Sequence, residues 1–203
     1  MIQEYGGANS LYNYLLSKPQ HRMDEQEAKR FFKTIAETLQ YLHERGIVHR
    51  DIKAENILLN RHKQLKLIDF GFSLESAPPA TIDTFCGTPT YMAPEIVSKR
   101  DHVALYTDLW SLGVFLFVML QGNYPFRAKN ESDLFEKIRK GSFEYIHRDI
   151  SDKSRQVIQR LVRVNPLERL STAQMDGEFW EWFLEEEGHK NSQPTHTTNH
   201  TTN

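Results

Sequence analysis

Two short motifs combine a carboxylate that can accept a proton, a cation and two oxygen ligands for a metal ion. The first is His49-Arg50-Asp51-Ile52-Lys53-Ala54-Glu55-Asn56, and Asp69-Phe70-Gly71 follows it along the chain. A third motif, Ala93-Pro94-Glu95, comes next. Phosphoryl transfer needs alignment and charge neutralisation far more than covalent chemistry from the protein. These residue types are those required to move a phosphoryl group from Mg·ATP to a hydroxyl.

Each residue of the first two motifs has a distinct candidate role. Asp51 is placed to accept the proton of a substrate hydroxyl or to orient that hydroxyl, and Lys53 can reach the transferred phosphate. Asn56 and Asp69 offer oxygen atoms to Mg²⁺, a hard cation that prefers oxygen ligands and retains water. Any one of these residues alone is more often an ordinary surface group. Their joint spacing argues against that alternative.

The sequence contains a second His-Arg-Asp tripeptide at His147-Arg148-Asp149. Ser154 stands where the first copy has its asparagine, and no Asp-Phe-Gly comes after it. We interpret the second copy as a chance occurrence in a loop that precedes a helix. The first copy is therefore identified by its surroundings and not by the tripeptide.

The three motifs, in this order, resemble those of the eukaryotic protein kinases from the first residues to about residue 184. Lysine in the pattern H-R-D-x-K-x-x-N resembles the serine/threonine kinases. Residues 53–56 together with 69–73 look most like the calmodulin-dependent-kinase-like group, on the side of the AMP-activated and microtubule-affinity-regulating kinases. The resemblance implies ATP and Mg²⁺ as cofactors and proteins with serine or threonine acceptors as substrates.

The resemblance also implies contacts that support the site. His49 and Phe70 should pack in a column that ends on Asp108, whose carboxylate should accept backbone hydrogens from the catalytic loop, residues 49–56. The alternative for Asp108 is a charge at a helix N-terminus. Arg169 should pair with Glu95, which is a structural contact in either interpretation.

The residues that would contact the nucleotide and those of a regulatory loop are also assigned by resemblance. Leu58 resembles the adenine floor, and Gly6, in a hinge-like Glu4-Tyr5-Gly6-Gly7, should meet adenine. Thr84 resembles a regulatory phosphosite that an upstream kinase would modify, and Arg50 offers a fork for that phosphate. Thr88 should contact Asp51 and Lys53 and shape the substrate groove. Ordinary loop hydroxyls are the alternative for both threonines.

Periodicity and capping residues predict a mainly α fold with short strands at the catalytic and metal-binding loops. Helices are expected over residues 10–16, 24–46, 107–121, 130–140, 151–163 and 171–184, strands over 1–5, 57–59 and 65–68, and a long polar loop over 71–91. This order resembles the larger, C-terminal lobe of a kinase. No G-x-G-x-x-G loop and no V-A-I-K strand occurs, so the smaller N-terminal lobe is expected to be absent. We expect a kinase domain over residues 1–184 and a disordered polar tail over 185–203.

Length, composition and charge limit the number of domains, the kinds of partner and the cellular location. With 203 residues, 39% of them hydrophobic, the chain fits one domain with an ordinary core. A net charge of -2 creates no strong field for nucleic acid or acidic lipid, and the apolar run Leu112–Leu120 is too short for a bilayer. We therefore expect neither partner. The single Cys86 and the lack of a signal peptide favour the cytoplasm, with the nucleus an open alternative.

Two functions are compatible with this sequence. The first is a serine/threonine protein kinase whose larger lobe is represented here, with weak activity expected of these residues in isolation. The second is a kinase-like binding or regulatory module that docks partners through its groove without transferring phosphate. The intact catalytic motifs favour the first function, and the missing small lobe favours the second.

Overall fold

About half of the chain is helical, and the few strands are short. The structure, a computed structural model, describes residues 9–75 and 81–185, so the predictions for residues 1–5, for Gly6 and for most of the tail lie outside it. The helices are α1 Leu11–Leu16, α2 Glu25–His43, α3 Pro94–Val97, α4 Ala104–Gln121, α5 Glu131–Lys140, α6 Asp152–Leu161 and α7 Gly177–Leu184. The strands are β1 Asn9–Ser10, β2 Ile47–Val48, β3 Ile57–Leu59, β4 Leu65–Leu67, β5 Leu74–Glu75, β6 Thr81–Ile82 and β7 His102–Val103.

Helix α2 begins where its capping residue predicts. The Asp24 carboxylate accepts hydrogen bonds from the backbone N–H groups of Gln26 and Glu27, which satisfies donors that have no partner inside the helix. The helix ends at His43, and Gly46 follows with a φ of 71°. The predicted helix over residues 24–46 is confirmed, apart from its last turn.

Two sequence-based predictions differ from the structure. The helix predicted over 171–184 is wrong at its start, because Ser171 opens a separate 3₁₀ turn at Thr172–Gln174 and Asp176 caps α7. The loop predicted over 71–91 contains β5 and β6, which pair with β2 and β7 respectively. These pairings join residues distant in sequence, and local periodicity carries no signal for them.

The core is built around α4, whose residues from Thr107 to Gln121 are all buried. Gly113 allows α6 to approach closely, since a Cβ there would lie 2.6 Å from the Cβ of Leu161. By length and composition α4 is the one described helix that could cross a membrane, yet 83% of it is buried inside the fold. Its apolar surface is therefore already covered by the protein, as expected for a core helix.

The antiparallel sheet β1-β3-β4 positions the metal-ligand candidates. Ile57 pairs with Leu67, and the N–H of Ile68 donates to the carbonyl of Asn56 at 2.9 Å. Each candidate ligand therefore lies at or next to the end of a paired strand. Asn56 precedes β3 and Asp69 follows β4, which brings the two ends together at one edge of the sheet.

Candidate active site

A buried carboxylate holds the backbone of the catalytic loop. Asp108 in α4 is fully buried. Its Oδ2 accepts from the N–H of His49 at 2.9 Å, and its Oδ1 accepts from the N–H of Arg50 at 2.8 Å. Arg50 has a φ of 65°, a left-handed conformation that a non-glycine residue adopts only when its surroundings hold it there. The predicted contact between Asp108 and the loop is therefore confirmed.

The His49 side chain connects the catalytic loop with the Asp69 loop. Its Nε2 lies 3.0 Å from the carbonyl of Ile68, and the N–H of Asp51 donates to its Nδ1 at 3.3 Å. These two partners require a neutral ring with the proton on Nε2. The His49 ring also packs edge-on against Phe70, with 4.9 Å between centroids, as predicted.

Three other predicted residues contact the carboxylate of Asp51, which is only 3% exposed. Thr88 Oγ1 donates to Oδ1 at 2.8 Å, while Asn56 Nδ2 at 2.8 Å and Lys53 Nζ at 2.7 Å contact Oδ2. Lys53 also donates to Thr88 Oγ1 at 2.7 Å. The geometry around the carboxylate suits charge-assisted bonds, and three side chains fix its orientation.

Asn56 and Asp69 fit the donor set that Mg²⁺ requires. The amide nitrogen of Asn56 donates to the carbonyl and carboxylate of Asp51, which leaves the amide oxygen as the atom that would face a cation. Asp69 is exposed, and its Oδ1 accepts from the Gly71 N–H at 3.2 Å. No group of three or more His, Cys, Asp or Glu that could hold a metal exists among the described residues. Two oxygen ligands suit Mg²⁺, which completes its shell with water and substrate phosphates.

Of the two residues predicted to contact adenine, the structure describes Leu58. Leu58 is half-buried in β3 and stands opposite Ser10 of β1. The side chain of Ser10 caps α1 by accepting from the Asn13 N–H at 3.2 Å. Leu58 therefore lies beside the first described residues of the chain. The predicted contact of Gly6 lies outside the described residues.

Arg50 and Thr84 do not contact each other in the structure, whereas Thr88 contacts Asp51. Arg50 Nε donates to the carbonyl of Phe72 at 2.5 Å, and Thr84 is exposed, with no hydrogen bond to Arg50. Strand β6 ties the loop beside Thr84 to β7. Of the two threonines predicted to matter, only Thr88 is brought into the Asp51 cluster.

A half-buried carboxylate and two tyrosine rings lie beside the catalytic loop. The Oε2 atom of Glu55 is buried and accepts no hydrogen bond among the described residues. The rings of Tyr91 and Tyr124 meet edge-on at 5.6 Å. Burial raises the pKa of Tyr91 and of Tyr124, and the charge of Glu55 raises both further, with Tyr12 also acting on Tyr124. The negative charge of Glu55 therefore acts on both rings.

Two further ion pairs have a structural role and lie outside the group of side chains around Asp51. Arg169 forms a buried two-pronged pair with Glu95 at 2.6 and 2.7 Å, as predicted. In the second His-Arg-Asp copy, Asp149 is instead paired with Arg22 on the surface, and the backbone of His147 is held by the Gln121 side chain. This copy therefore has a structural environment, and it lacks the cluster that surrounds Asp51.

Comparisons with known proteins agree with this geometry. The model of the protein kinase domain family matches residues 1–180. A carbon catabolite-derepressing protein kinase of Candida glabrata is 38% identical over 183 residues, which cover 90% of this chain and 29% of that protein. NUAK family SNF1-like kinase 2 of Rattus norvegicus is 36% identical over 180 residues, covering 89% of this chain and 28% of that protein. The chain thus spans less than a third of the length of these relatives.

Proposed function

Because the chain belongs to the protein kinase family, in its serine/threonine class, we propose that it transfers the γ-phosphoryl group of Mg·ATP to serine or threonine hydroxyls of proteins. The observation that carries this proposal is the Asp51 carboxylate, buried and oriented by Lys53, Asn56 and Thr88. A preorganised base beside a cation is what a transferred phosphoryl group requires.

The proposed reaction assigns one role to each side chain. The hydroxyl oxygen of the substrate forms a bond to the γ-phosphorus as the bond from phosphorus to the β–γ bridging oxygen breaks. Asp51 accepts or orients the hydroxyl proton, and Lys53 stabilises charge on the transferred phosphoryl oxygens. Asn56 and Asp69 would hold Mg²⁺, which would neutralise charge on the phosphates. Thr88 fixes the edge of the groove where the acceptor residue enters.

We further propose that these residues correspond to the larger lobe of a kinase domain. The support is the helical content, the three motifs in order and the absence of a Gly-rich loop or V-A-I-K strand from the 203-residue sequence. Leu58 then contributes the floor under adenine, and nothing in the sequence matches the loop that covers the phosphates. Water screens charges in such an open site, so these residues alone should bind Mg·ATP loosely and transfer phosphate slowly.

An upstream kinase is the proposed activating partner. Thr84 is exposed and accessible to modification. Arg50 uses Nε for the Phe72 carbonyl, which leaves both terminal nitrogens of its guanidinium to bind a phosphate in two-pronged fashion. Phosphorylated Thr84 would therefore fix the loop without disturbing the contact between Arg50 and Phe72.

We also propose a preference for basic substrates. Glu55 is half-buried and precedes Asn56 in the chain, so its negative charge would attract a cationic side chain near the acceptor hydroxyl. A series of peptides with labelled ATP tests both the serine/threonine kinase reaction and the preference for basic residues. Phosphate should enter serine and threonine peptides and not tyrosine peptides, and basic residues before the acceptor should raise kcat/KM over alanine at those positions.

A kinase-like binding module, which would dock partners through the same groove without transferring phosphate, is the second candidate. The same peptides distinguish the two functions in a binding assay without ATP. Peptide binding with no phosphate transfer, even in the presence of millimolar Mg·ATP and a grafted small lobe, would reject the enzymatic proposal and leave the binding module.

A further inference from the structure

A groove formed by residues other than the Asp51 cluster exposes two large apolar side chains. Leu167 is 75% exposed, the highest value among the large hydrophobic residues that the structure describes, and Val164 is 44% exposed. Both side chains line one groove of about 490 Å³. Apolar side chains that are exposed together in a concave part of the surface mark an interaction site more often than scattered ones do.

The backbone holds the apolar side of this groove in place. The side-chain oxygen of Asn165 accepts from the N–H of Leu167 at 3.2 Å, and Asn165 Nδ2 donates to Oε1 of Glu168 at 3.0 Å. Val164 lies against the end of α5, since a Cβ added to Gly141 would lie 2.4 Å from Cγ2 of Val164. The apolar side chains are therefore presented by a fixed turn, and a partner would lose little affinity to ordering them.

Two arginines line the same groove. Arg100 and Arg139 are both exposed. Arg139 Nη2 donates to the carbonyl of Val97 at 2.9 Å, which fixes its guanidinium relative to α3. Of the two carboxylates in the lining, that of Glu95 is neutralised by its buried ion pair, whereas that of Asp101 is exposed. The groove therefore combines apolar surface with a net positive charge.

We propose that this groove binds a short peptide segment of a partner protein that combines large apolar side chains with acidic ones. The apolar side chains would cover Leu167 and Val164, and the carboxylates would pair with Arg100 and Arg139. The volume of the groove suits a few side chains of such a segment. Binding here leaves the side chains around Asp51 uncovered, so the interaction is independent of the proposed phosphoryl transfer.

Fluorescence anisotropy without ATP tests the proposal, and the probe is a labelled peptide of alternating leucine and glutamate. Leu167→Ser should weaken its binding about tenfold or more, because an apolar anchor loses its contact. Arg100→Glu should weaken it about fivefold or more and reduce its sensitivity to salt. Asp101→Asn removes the opposing charge and should tighten binding roughly two- to fivefold.

Matched controls come from exposed residues outside the groove. Leu16 and Arg61 are exposed at other places on the surface, so Leu16→Ser and Arg61→Glu should leave the binding of the peptide unchanged. Two comparison peptides test the chemistry of the partner. A peptide of alternating alanine and glutamate and one of alternating leucine and lysine should each bind about tenfold more weakly or less.

Several results would overturn the proposal. They are no binding of the leucine–glutamate peptide at millimolar concentration, equal binding of either comparison peptide, unchanged binding in Leu167→Ser or Arg100→Glu, and no tightening in Asp101→Asn. Analytical ultracentrifugation tests the other possible occupant. A dimer of the unmodified chain that Leu167→Ser dissociates would show that a second copy of the chain covers the groove, and would also overturn the proposal.

Discussion

The hydroxyl of Thr88 donates to Oδ1 of Asp51 at 2.8 Å, so a residue of the loop over 71–91 orients the proposed base directly. Lys53 bridges the same two side chains, with Nζ at 2.7 Å from each. The catalytic loop and the substrate-side loop are therefore joined at the point where an acceptor hydroxyl must enter. A change in either loop should therefore alter the position of the Asp51 carboxylate.

Replacing Asp51 with asparagine should abolish nearly all phosphate transfer and leave the fold intact. Asparagine keeps the size of the side chain, but it cannot accept a proton, and its amide faces the donors Lys53 and Asn56. Transfer of labelled phosphate to a serine peptide measures the loss. Asp149→Asn is the matched control, because Asp149 belongs to the second His-Arg-Asp copy and pairs with Arg22 on the surface. Substantial activity in Asp51→Asn would remove Asp51 from its assigned role.

Replacing Asp69 with asparagine should weaken nucleotide binding only when Mg²⁺ is present. The substitution removes one negative charge from an exposed metal-ligand candidate and keeps an oxygen atom. Calorimetric titration with ATP, with and without millimolar Mg²⁺, should show a loss of roughly tenfold in the metal-containing series. Asp101→Asn, at an exposed carboxylate outside the site, should change neither series. Equal metal dependence in Asp69→Asn and the unmodified chain would contradict the assignment.

Phosphorylation of Thr84 should protect the loop between Phe72 and Tyr91 from proteases. The phosphate adds about -1.5 to -2 charges and three acceptor oxygens, which the terminal nitrogens of Arg50 would bind. Limited proteolysis before and after treatment with an upstream kinase measures the protection. Thr81→Ala should behave like the unmodified chain, and Thr84→Ala should gain no protection. Protection that persists in Thr84→Ala would place the switch at another residue.

Breaking the pair between Glu95 and Arg169 should destabilise the fold severely. Both side chains are buried, and Arg169 also donates to the carbonyl of Tyr106 at 2.7 Å. Removing one partner leaves a buried unpaired charge, so Glu95→Ala should lower the free energy of unfolding by about 3–5 kcal/mol. Urea unfolding measures the change. The exposed pair of Glu136 and Lys140 is the control, and Glu136→Ala should have little effect. Similar small losses in both variants would show that the buried pair does not support the fold.

Glu27 should make stability depend on pH in the acidic range. Burial alone would raise the pKa of Glu27, but its hydrogen bonds from Lys63 and Tyr14 and the charge of Lys18 lower that pKa below its ordinary 4.5. A carboxyl with a lowered folded-state pKa stabilises the fold above its unfolded-state pKa and loses that contribution as the pH falls. The difference in urea midpoint between the unmodified chain and Glu27→Gln should therefore shrink as the pH falls through this range.

A matched carboxyl provides the control for the acidic titration. Glu37 is half-exposed and paired only with Lys33, so Glu37→Gln should show a small difference at every pH. A difference between the unmodified chain and Glu27→Gln that stays constant down to about pH 3 would show that the Glu27 contacts do not act through its charge.

The local chemistry of the site could be predicted from the sequence. Asp51, Lys53 and Asn56 lie within one turn-rich loop, so their types and spacing alone limit where they can point. The same holds for Asp24, which caps α2 through bonds to its immediate neighbours. The resemblance to the protein kinases implied Asp108 and Arg169 as structural partners, and both contacts are present.

Distant contacts that no motif marks were decided by the tertiary structure alone. Nothing local distinguishes His43 from any histidine near a helix end, and its partner is Asp108, 65 residues away. The pairing of β6 with β7, within the stretch predicted to be a loop, likewise joins segments that no local pattern connects. Short-range spacing determines which groups can do chemistry together, whereas the packing of α2, α4 and the paired strands determines which distant groups reach them.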